Sequence, residues 1–497
     1  MPREHASLTG ALLVLGGLYA VVLAQVNQHA PEPYMVRRAM HQKSVTWHKL
    51  TLCVMHFLCL DLGFECQDEI FHIPQTQKYC DGKFEYHALT SQTTALADEW
   101  DPKITTFPGL YLFATAYARA VKWMQLPGVN FCAVPVLRSV NVLFALGNAV
   151  LIAKLRRLLS PSNSHLLVHA LMIISFPVHF FFAFLFYTDG GATFFVLLMY
   201  VLAEQVDVQL PPARRGSCIL SAVCGALAVL FRQTNIVWVL FVAGTLVVRY
   251  VEHLQGSFIY GCHSIVSPHR VFINFIAAIC SNLGLIVRLA WPFIAIVAGF
   301  VGFLVLNGGI VVGDKSNHEA GVHGAQLLYC TVVIASGFGI SLIEPKKVLE
   351  FLRSVYRSGQ SVKGMAFMVC LTLAMAAIIW RLSPVHKFML ADNRHYTFYI
   401  WRKFFLRHRF AKFVPLPMYL FAGWRCWVEL LLIPSPLVEP RYYLLPFVVF
   451  HLNAGNQSSS SLWTTIVAYT IVNVCTLYVF MHRSYEWVDG STARFMW

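Results

Sequence analysis

Apolar runs long enough to cross a bilayer recur along most of this chain, separated by short polar connections. The first, Leu8–Val26, follows Arg3 and His5 and lacks a small-residue cleavage site, which predicts a retained membrane helix. From Phe131 onward the windows fall near 132–153, 165–187, 191–206, 217–231, 234–250, 282–306, 324–344, 364–382, 414–433, 441–453 and 461–481. A hydrocarbon core of about 30 Å takes about 20 helical residues, so the pattern predicts about a dozen transmembrane helices. The interval 27–131 is the longest non-spanning segment. Within it Leu50–Leu62 is apolar but short for a span, and Gly109–Trp123, carrying Arg119 and Lys122, predicts an amphipathic helix lying at the interface.

The connections alternate in charge. One set holds Lys154, Arg156 and Arg157, then Arg214 and Arg215, then Arg249 and Arg270, then Lys346, Lys347, Arg353, Arg357 and Lys363. The other reads YTDGG (187–191), FRQTN (231–235), NGGIVVGDKSNHEAG (307–321) and HKFMLADNRHYTFYIW (386–401). Lys and Arg collect in cytoplasmic loops, so the second set shares the opposite face with the long 27–131 segment. RKFFLRHRFAK (402–412) is basic yet falls on that opposite face by counting, where an interfacial helix would meet lipid phosphates.

Composition agrees with this reading. Of 497 residues, 57% are hydrophobic and only 12% charged, against about a quarter in soluble domains. The formal net charge of +14 follows from the cytoplasmic bias and does not call for a nucleic-acid partner, since no soluble module presents a basic patch. Thirteen cysteines show no CxxC pair and no metal-ligand spacing, and Cys66 with Cys80 is the one pair expected to form a luminal disulfide. No repeat of 20–50 residues stands out, so residues 1–497 read as one integral membrane domain with 27–131 as its luminal catalytic loop region.

Candidate chemistry gathers on the acidic face. DEIFHIPQTQKYC (68–80) and EWDPKITTFPGLY (99–111) bring Asp68, Glu69, His72, Trp100 and Asp101 close in sequence. Sugar transfer needs a base for the acceptor hydroxyl, and a carboxylate is the usual choice. Adjacent on a helix, Asp68 and Glu69 would point about 100° apart, so only one can face a given substrate. A solvated acidic loop is the bland alternative. Residues 386–401 hold Lys387, Asp392, Asn393, Arg394, His395 and Tyr396 beside aromatic rings, a mixture suited to a phosphorylated sugar. Arg232 lies between two apolar windows, where an ionisable group is costly and marks a site or a structural ion pair. Walker A, GxGxxG, HExxH and GxSxG patterns are absent, and no metal is expected, because Arg or Lys can neutralise a departing phosphate.

DEIFHIPQTQKYC, WDPKITTFPGLY, FRQTNIVW, LNGGIVVGDKSNHEA, HKFMLADNRHYTFYIW, EPRYYLLPF and the terminal RFMW closely resemble the dolichyl-phosphate-glucose-dependent α-1,2-glucosyltransferases of the endoplasmic reticulum. The resemblance implies an all-α GT-C fold with its active site in a long first luminal loop. It implies dolichyl phosphate glucose as donor, with no separate cofactor, and Glc2Man9GlcNAc2-diphosphodolichol as acceptor, with inversion at the transferred sugar. Carried onto this chain, it makes Asp68 the general base with Glu69 as second choice. Lys387, Arg394, His395, Arg232 and Arg441 become donor or phosphate contacts, and His72, Trp100, Asp101, Asp392, Asn393 and Tyr396 acceptor contacts.

Two departures from the family pattern stand out. Residues 36–67 intervene where the pattern runs directly from PYM to DEIFH, which suggests an insertion or a gene-model artefact, and 87–97 resembles an extra loop. A span expected between about Trp427 and Pro434 is missing, so counting puts Glu439–Arg441 on the cytoplasmic side whereas the family puts them in the lumen. The rival readings are a polytopic transporter or channel-associated protein and a GT-C mannosyltransferase. A transporter would place its charges near mid-bilayer, whereas here they gather at helix ends on one face.

Overall fold

A computed structural model of the chain describes residues 2–29, 69–83, 100–101, 103–125, 129–161, 165–209, 216–254, 268–313, 325–382, 396–425, 440–455, 457–483, 485–486 and 492–495. In chain order the helices are α1 (Pro2–His29), α2 (Glu69–Cys80), α3 (Gly109–Trp123), α4 (Val134–Leu159), α5 (Leu166–Ile174), α6 (Pro177–Phe182), α7 (Thr188–Glu204), α8 (Gly216–Phe231) and α9 (Ile236–Leu254). They continue as α10 (Pro268–Ser281), α11 (Leu283–Asn307), α12 (Ala325–Ser336), α13 (Pro345–Gly359), α14 (Val362–Arg381), α15 (Tyr396–Ile400), α16 (Leu416–Arg425), α17 (Leu444–Asn453) and α18 (Ser459–His482). The only strand pairing among the described residues is a two-residue antiparallel bridge of Tyr485–Glu486 with Thr492–Ala493.

The apolar windows become helices almost where expected. Among the described residues six are long and apolar enough to span: Thr9–His29, Val134–Leu159, Gln233–Leu254, Leu283–Asn307, Val362–Arg381 and Ser459–His482. The chain is therefore a polytopic, all-helical membrane protein, with six full-length spans described where about a dozen were expected.

Three stretches differ from expectation. The window 165–187 is two short helices, α5 and α6, with a bend between them. Pro177 at the start of α6 cannot donate to a continuing ladder, and the Ser175 carbonyl takes a bond from Asn473 Nδ2 on α18 at 2.9 Å. A broken helix at membrane depth is tolerated when a neighbour satisfies the freed backbone in this way. Residues 402–412 are a π turn, bends and a 3-10 turn instead of an interfacial helix. There Lys403 lies over Tyr399, and Lys412 lies over Trp380 near the C-terminus of α14. Finally, the basic connection after α12 contains a four-turn amphipathic helix, α13.

The chain forms two compact units, one from Met1–Phe84, Tyr111–Gly190 and Ser316–Trp497, the other from Glu85–Leu110 and Gly191–Lys315. In the first, α1 packs along α4, and Tyr19 meets Phe180 and Phe184 edge-on. Phe176 stacks on Phe447 at a centroid distance of 4.0 Å, joining the α5–α6 bend to α17. Arg156, fully buried near the end of α4, donates to the carbonyls of Leu452 (2.7 Å) and Ala454 (2.8 Å), capping the negative end of α17. In the second unit α9 and α11 pack together, and Gly225 of α8 lies so close to Met199 Sδ and Val239 that an added Cβ would collide.

Candidate active site

The first part of the site is built on α2, just after the acidic pair. Glu69 opens the helix, and its carboxylate is completely buried. Arg138, one turn into α4, meets it with Nε on Oε1 at 3.0 Å and Nη2 on Oε2 at 2.6 Å. The Phe186 backbone N–H also donates to Oε1, at 2.5 Å, and Arg138 Nη1 donates to Asn27 Oδ1 at 2.9 Å. This one ion pair thus ties together α1, α2, α4 and the turn before α7. A paired Glu–Arg inside a membrane protein answers the charge each would otherwise leave buried. The sequence reading passed over Arg138, although a lone arginine inside the 132–153 window was a usable signal.

The far end of α2 is pinned covalently. Cys80 forms a disulfide with Cys132, and Gln77 Nε2 donates to the Cys132 carbonyl at 3.2 Å. This corrects the expected Cys66–Cys80 pairing: Cys80 at the helix end faces the residue that leads into α4, and Cys66 lies outside the described residues. Pro74 sits inside α2, while Thr76 Oγ1 turns back to the His72 carbonyl at 2.8 Å. Burial raises the Tyr79 hydroxyl to about 12, so it stays neutral at any physiological pH.

Between its two ends α2 offers His72, half-buried, with Nδ1 2.6 Å from the hydroxyl of the buried Tyr111 at the start of α3. The imidazole also meets Tyr187 edge-on at 5.9 Å. Tyr187 also carries the Arg441 guanidinium at 5.2 Å, which lies 5.5 Å from the Phe182 ring as well. Two residues singled out from distant motifs, His72 and Arg441, therefore meet the same ring. Tyr111 and Tyr187 were not singled out in sequence, though both stand within quoted motifs. The same contact puts Arg441 beside the ring that His72 of α2 also meets.

Tyr396 opens α15 and stacks on Phe495 at 6.5 Å, bringing the 386–401 motif onto the C-terminal RFMW. Burial pushes its hydroxyl up, opposed by a hydrogen bond with Thr476. Arg494 beside that ring caps α18 through the carbonyls of Phe480 (2.5 Å) and Met481 (2.6 Å).

The second unit gathers three other motifs. Asp101 forms a tight turn, with Oδ1 accepting from the Lys103 N–H at 2.9 Å and its carbonyl from the Ile104 N–H at 3.0 Å. Trp100 precedes it, partly exposed. A few residues on, the Thr105 carbonyl receives both Gln233 Nε2 (2.8 Å) and the Val312 N–H (3.2 Å). One carbonyl thus joins WDPKITT, FRQTN and NGGIVV. Arg232 stands at the break between α8 and the 3-10 turn Gln233–Asn235, which Asn235 Nδ2 secures on the Ala228 carbonyl at 2.8 Å. Asp68, Lys387, Asp392, Asn393, Arg394, His395 and the 36–67 stretch lie outside the described residues.

Compared with known proteins, the chain matches the DIE2/ALG10 family over residues 64–452. It belongs to that family. Among curated relatives it is 33% identical over 465 residues to the rat "Dol-P-Glc:Glc(2)Man(9)GlcNAc(2)-PP-Dol alpha-1,2-glucosyltransferase", covering 86% of this chain and 92% of the relative. The mouse protein of the same name is 34% identical with the same coverage, and the Drosophila melanogaster protein is 32% identical, covering 86% of this chain and 93% of the relative. The family match takes in the α2 anchor, the Tyr187 cluster and the Thr105 junction described above, and stops at Leu452, whose carbonyl Arg156 caps.

Proposed function

We propose that this protein transfers glucose from dolichyl phosphate glucose to Glc2Man9GlcNAc2-diphosphodolichol, forming the terminal α-1,2-linked glucose of the lipid-linked oligosaccharide in the endoplasmic reticulum. The observation that carries this is the match to relatives named for that activity over 86% of the chain. The fold is GT-C, and residues 1–497 work as one membrane enzyme with its catalytic face in the lumen. Two features support that sidedness: the Cys80–Cys132 disulfide needs an oxidising compartment, and the basic connections gather on the other side.

In the reaction a carboxylate takes the proton from the 2-hydroxyl of the acceptor's terminal glucose. That oxygen attacks the donor's anomeric carbon from the face opposite the phosphate. The bond from the anomeric carbon to the phosphate oxygen breaks, and dolichyl phosphate leaves with the electron pair, so a β-linked donor gives an α product. Of the adjacent acids, Glu69 already has both oxygens engaged by Arg138 and one by Phe186 N–H. That leaves Asp68 as the base and makes Glu69 the residue that fixes the start of α2. Arg441, held over Tyr187, is a preset cation for the departing phosphate; Lys387, Arg394, His395 and Arg232 are the further donor-binding candidates. His72, Trp100, Asp101, Asp392, Asn393 and Tyr396 contact the acceptor glycan.

The test is expression in cells lacking this glucosyltransferase, followed by sizing of the lipid-linked oligosaccharide. The wild-type chain should add one hexose, and Asp68→Asn should reduce transfer at least a hundred-fold at normal protein level. No extension by the wild-type chain refutes the function, while full activity of Asp68→Asn refutes only the choice of base.

A further inference from the structure

Helix α13 has three faces, and only one of them is covered by protein. Val348, Phe351 and Val355 are partly buried, and Phe351 packs against Phe421 and Trp424 of α16 at 5.2 and 5.5 Å. Roughly a quarter-turn away lies an apolar stripe of Leu349, Leu352 and Tyr356, exposed by 45%, 55% and 70%. A quarter-turn beyond that stripe runs Lys346, Glu350, Arg353 and Arg357. Lys347 is paired with Glu350 at 2.8 Å, while Lys346, Arg353 and Arg357 have no acidic partner among the described residues.

The position of this helix along the membrane normal is fixed by its neighbour. Two residues, Gln360 and Ser361, separate α13 from α14, a candidate span whose hydropathic window is only 6% buried in protein and so faces lipid. The turn is tight: Gly364 lies directly against the Ser358 carbonyl, and Ser361 Oγ caps α14 by accepting the Gly364 N–H at 3.0 Å. A helix joined this closely to the end of a span sits at the water–lipid boundary. Its basic residues belong to the connections that mark the cytoplasmic side. Apolar side chains exposed at that depth meet acyl chains, and the adjacent cations meet headgroups.

We propose that α13 lies in the cytoplasmic leaflet as an anionic-lipid-binding helix, with Leu349, Leu352 and Tyr356 in the acyl boundary and Lys346, Arg353 and Arg357 on phosphate or carboxylate headgroups. This inference does not depend on which sugar the enzyme transfers. Each cation that meets an anionic surface strengthens association about five-fold and does so within a Debye length.

The test uses the full chain reconstituted into nanodiscs of phosphatidylcholine alone or with 30% phosphatidylserine, read by amide hydrogen exchange. Peptides covering 345–358 are expected to exchange at least five-fold more slowly in the anionic discs. The difference should vanish in high salt and in the triple variant K346Q/R353Q/R357Q, while α4 peptides, the folding control, stay unchanged throughout. Leu352→Asn combined with Tyr356→Asn should abolish the protection in both lipids. Equal exchange of 345–358 in the two disc types would overturn the anionic-lipid assignment. Exchange at the rate of a solvated helix in both would overturn membrane contact altogether, and point to a face kept for a soluble protein partner.

Discussion

Replacing Glu69 by Gln tests the division of labour between the two adjacent acids. The substitution keeps the size of the side chain but removes the charge from two guanidinium bonds, at 3.0 and 2.6 Å, and from the Phe186 N–H bond. Hydrogen bonds to charged groups contribute roughly 1.5–3 kcal/mol each, and stripping one partner from a buried ion pair costs roughly 3–5 kcal/mol. Against a typical folding stability of about 5–15 kcal/mol, Glu69→Gln should visibly lower the melting temperature of the purified protein and its level in cells. Arg138→Met should do the same, because it buries an unanswered carboxylate. The double variant E69Q/R138M removes both charges; the amide oxygen at 69 can still accept the Phe186 N–H, so chiefly Asn27 Oδ1 loses its donor, a loss of about 1–3 kcal/mol. It should therefore be more stable than either single variant, with a coupling of roughly 3 kcal/mol or more in a thermal-melt cycle. Transfer by folded Glu69→Gln should fall far less than by Asp68→Asn. A Glu69→Gln protein that melts like the wild type yet transfers no glucose would refute this reasoning and move the base to Glu69.

Two other outcomes follow from contacts already described. The Cys80–Cys132 bridge closes a loop with a sequence separation of 52, for which chain-entropy estimates give about 4 kcal/mol; C80S and C132S, alone or together, should lose a similar amount, and a double variant less stable than both singles would contradict the pairing. Arg441→Lys keeps the charge but not the planar group that stacks on Tyr187 and Phe182, so it should reduce kcat/KM for the lipid donor about ten-fold in a membrane assay, with Arg441→Ala lower still and melting unchanged; wild-type transfer by the alanine variant would remove Arg441 from the site.

The spans were legible because crossing hydrocarbon imposes a length and an apolar run that few other structures share; α4, α9, α11, α14 and α18 lie within a few residues of their windows. What periodicity could not convey is pairing across long separations. Arg138 and Glu69 are 69 positions apart, and neither hints at the other. In sequence Cys66 is the nearer partner for Cys80, and nothing there shows that α2 runs back to the start of α4. The α5–α6 bend hid in an unbroken apolar run, since Pro177 alone does not say whether a neighbour will take the carbonyls it frees. Amphipathic α13 forms no apolar window, because charged residues separate Leu349, Leu352 and Tyr356 along the sequence and only their helical spacing brings them together. The contacts between motifs became visible only in space, at Tyr187 in one unit and at the Thr105 carbonyl in the other.

The cystine beside α4 has a bearing on biogenesis. Cys132 is two residues ahead of Val134, where that span begins, so with the sidedness proposed above its thiol would reach an oxidising lumen only if the translocon threads α4 in that direction. A molecule inserted upside down would leave that sulfur among cytosolic reductants, and its bridge could not close. Oxidation of this one pair thus serves as a receipt for topology, and a pulse-labelled, thiol-trapped nascent chain would reveal when the enzyme has been assembled the right way round.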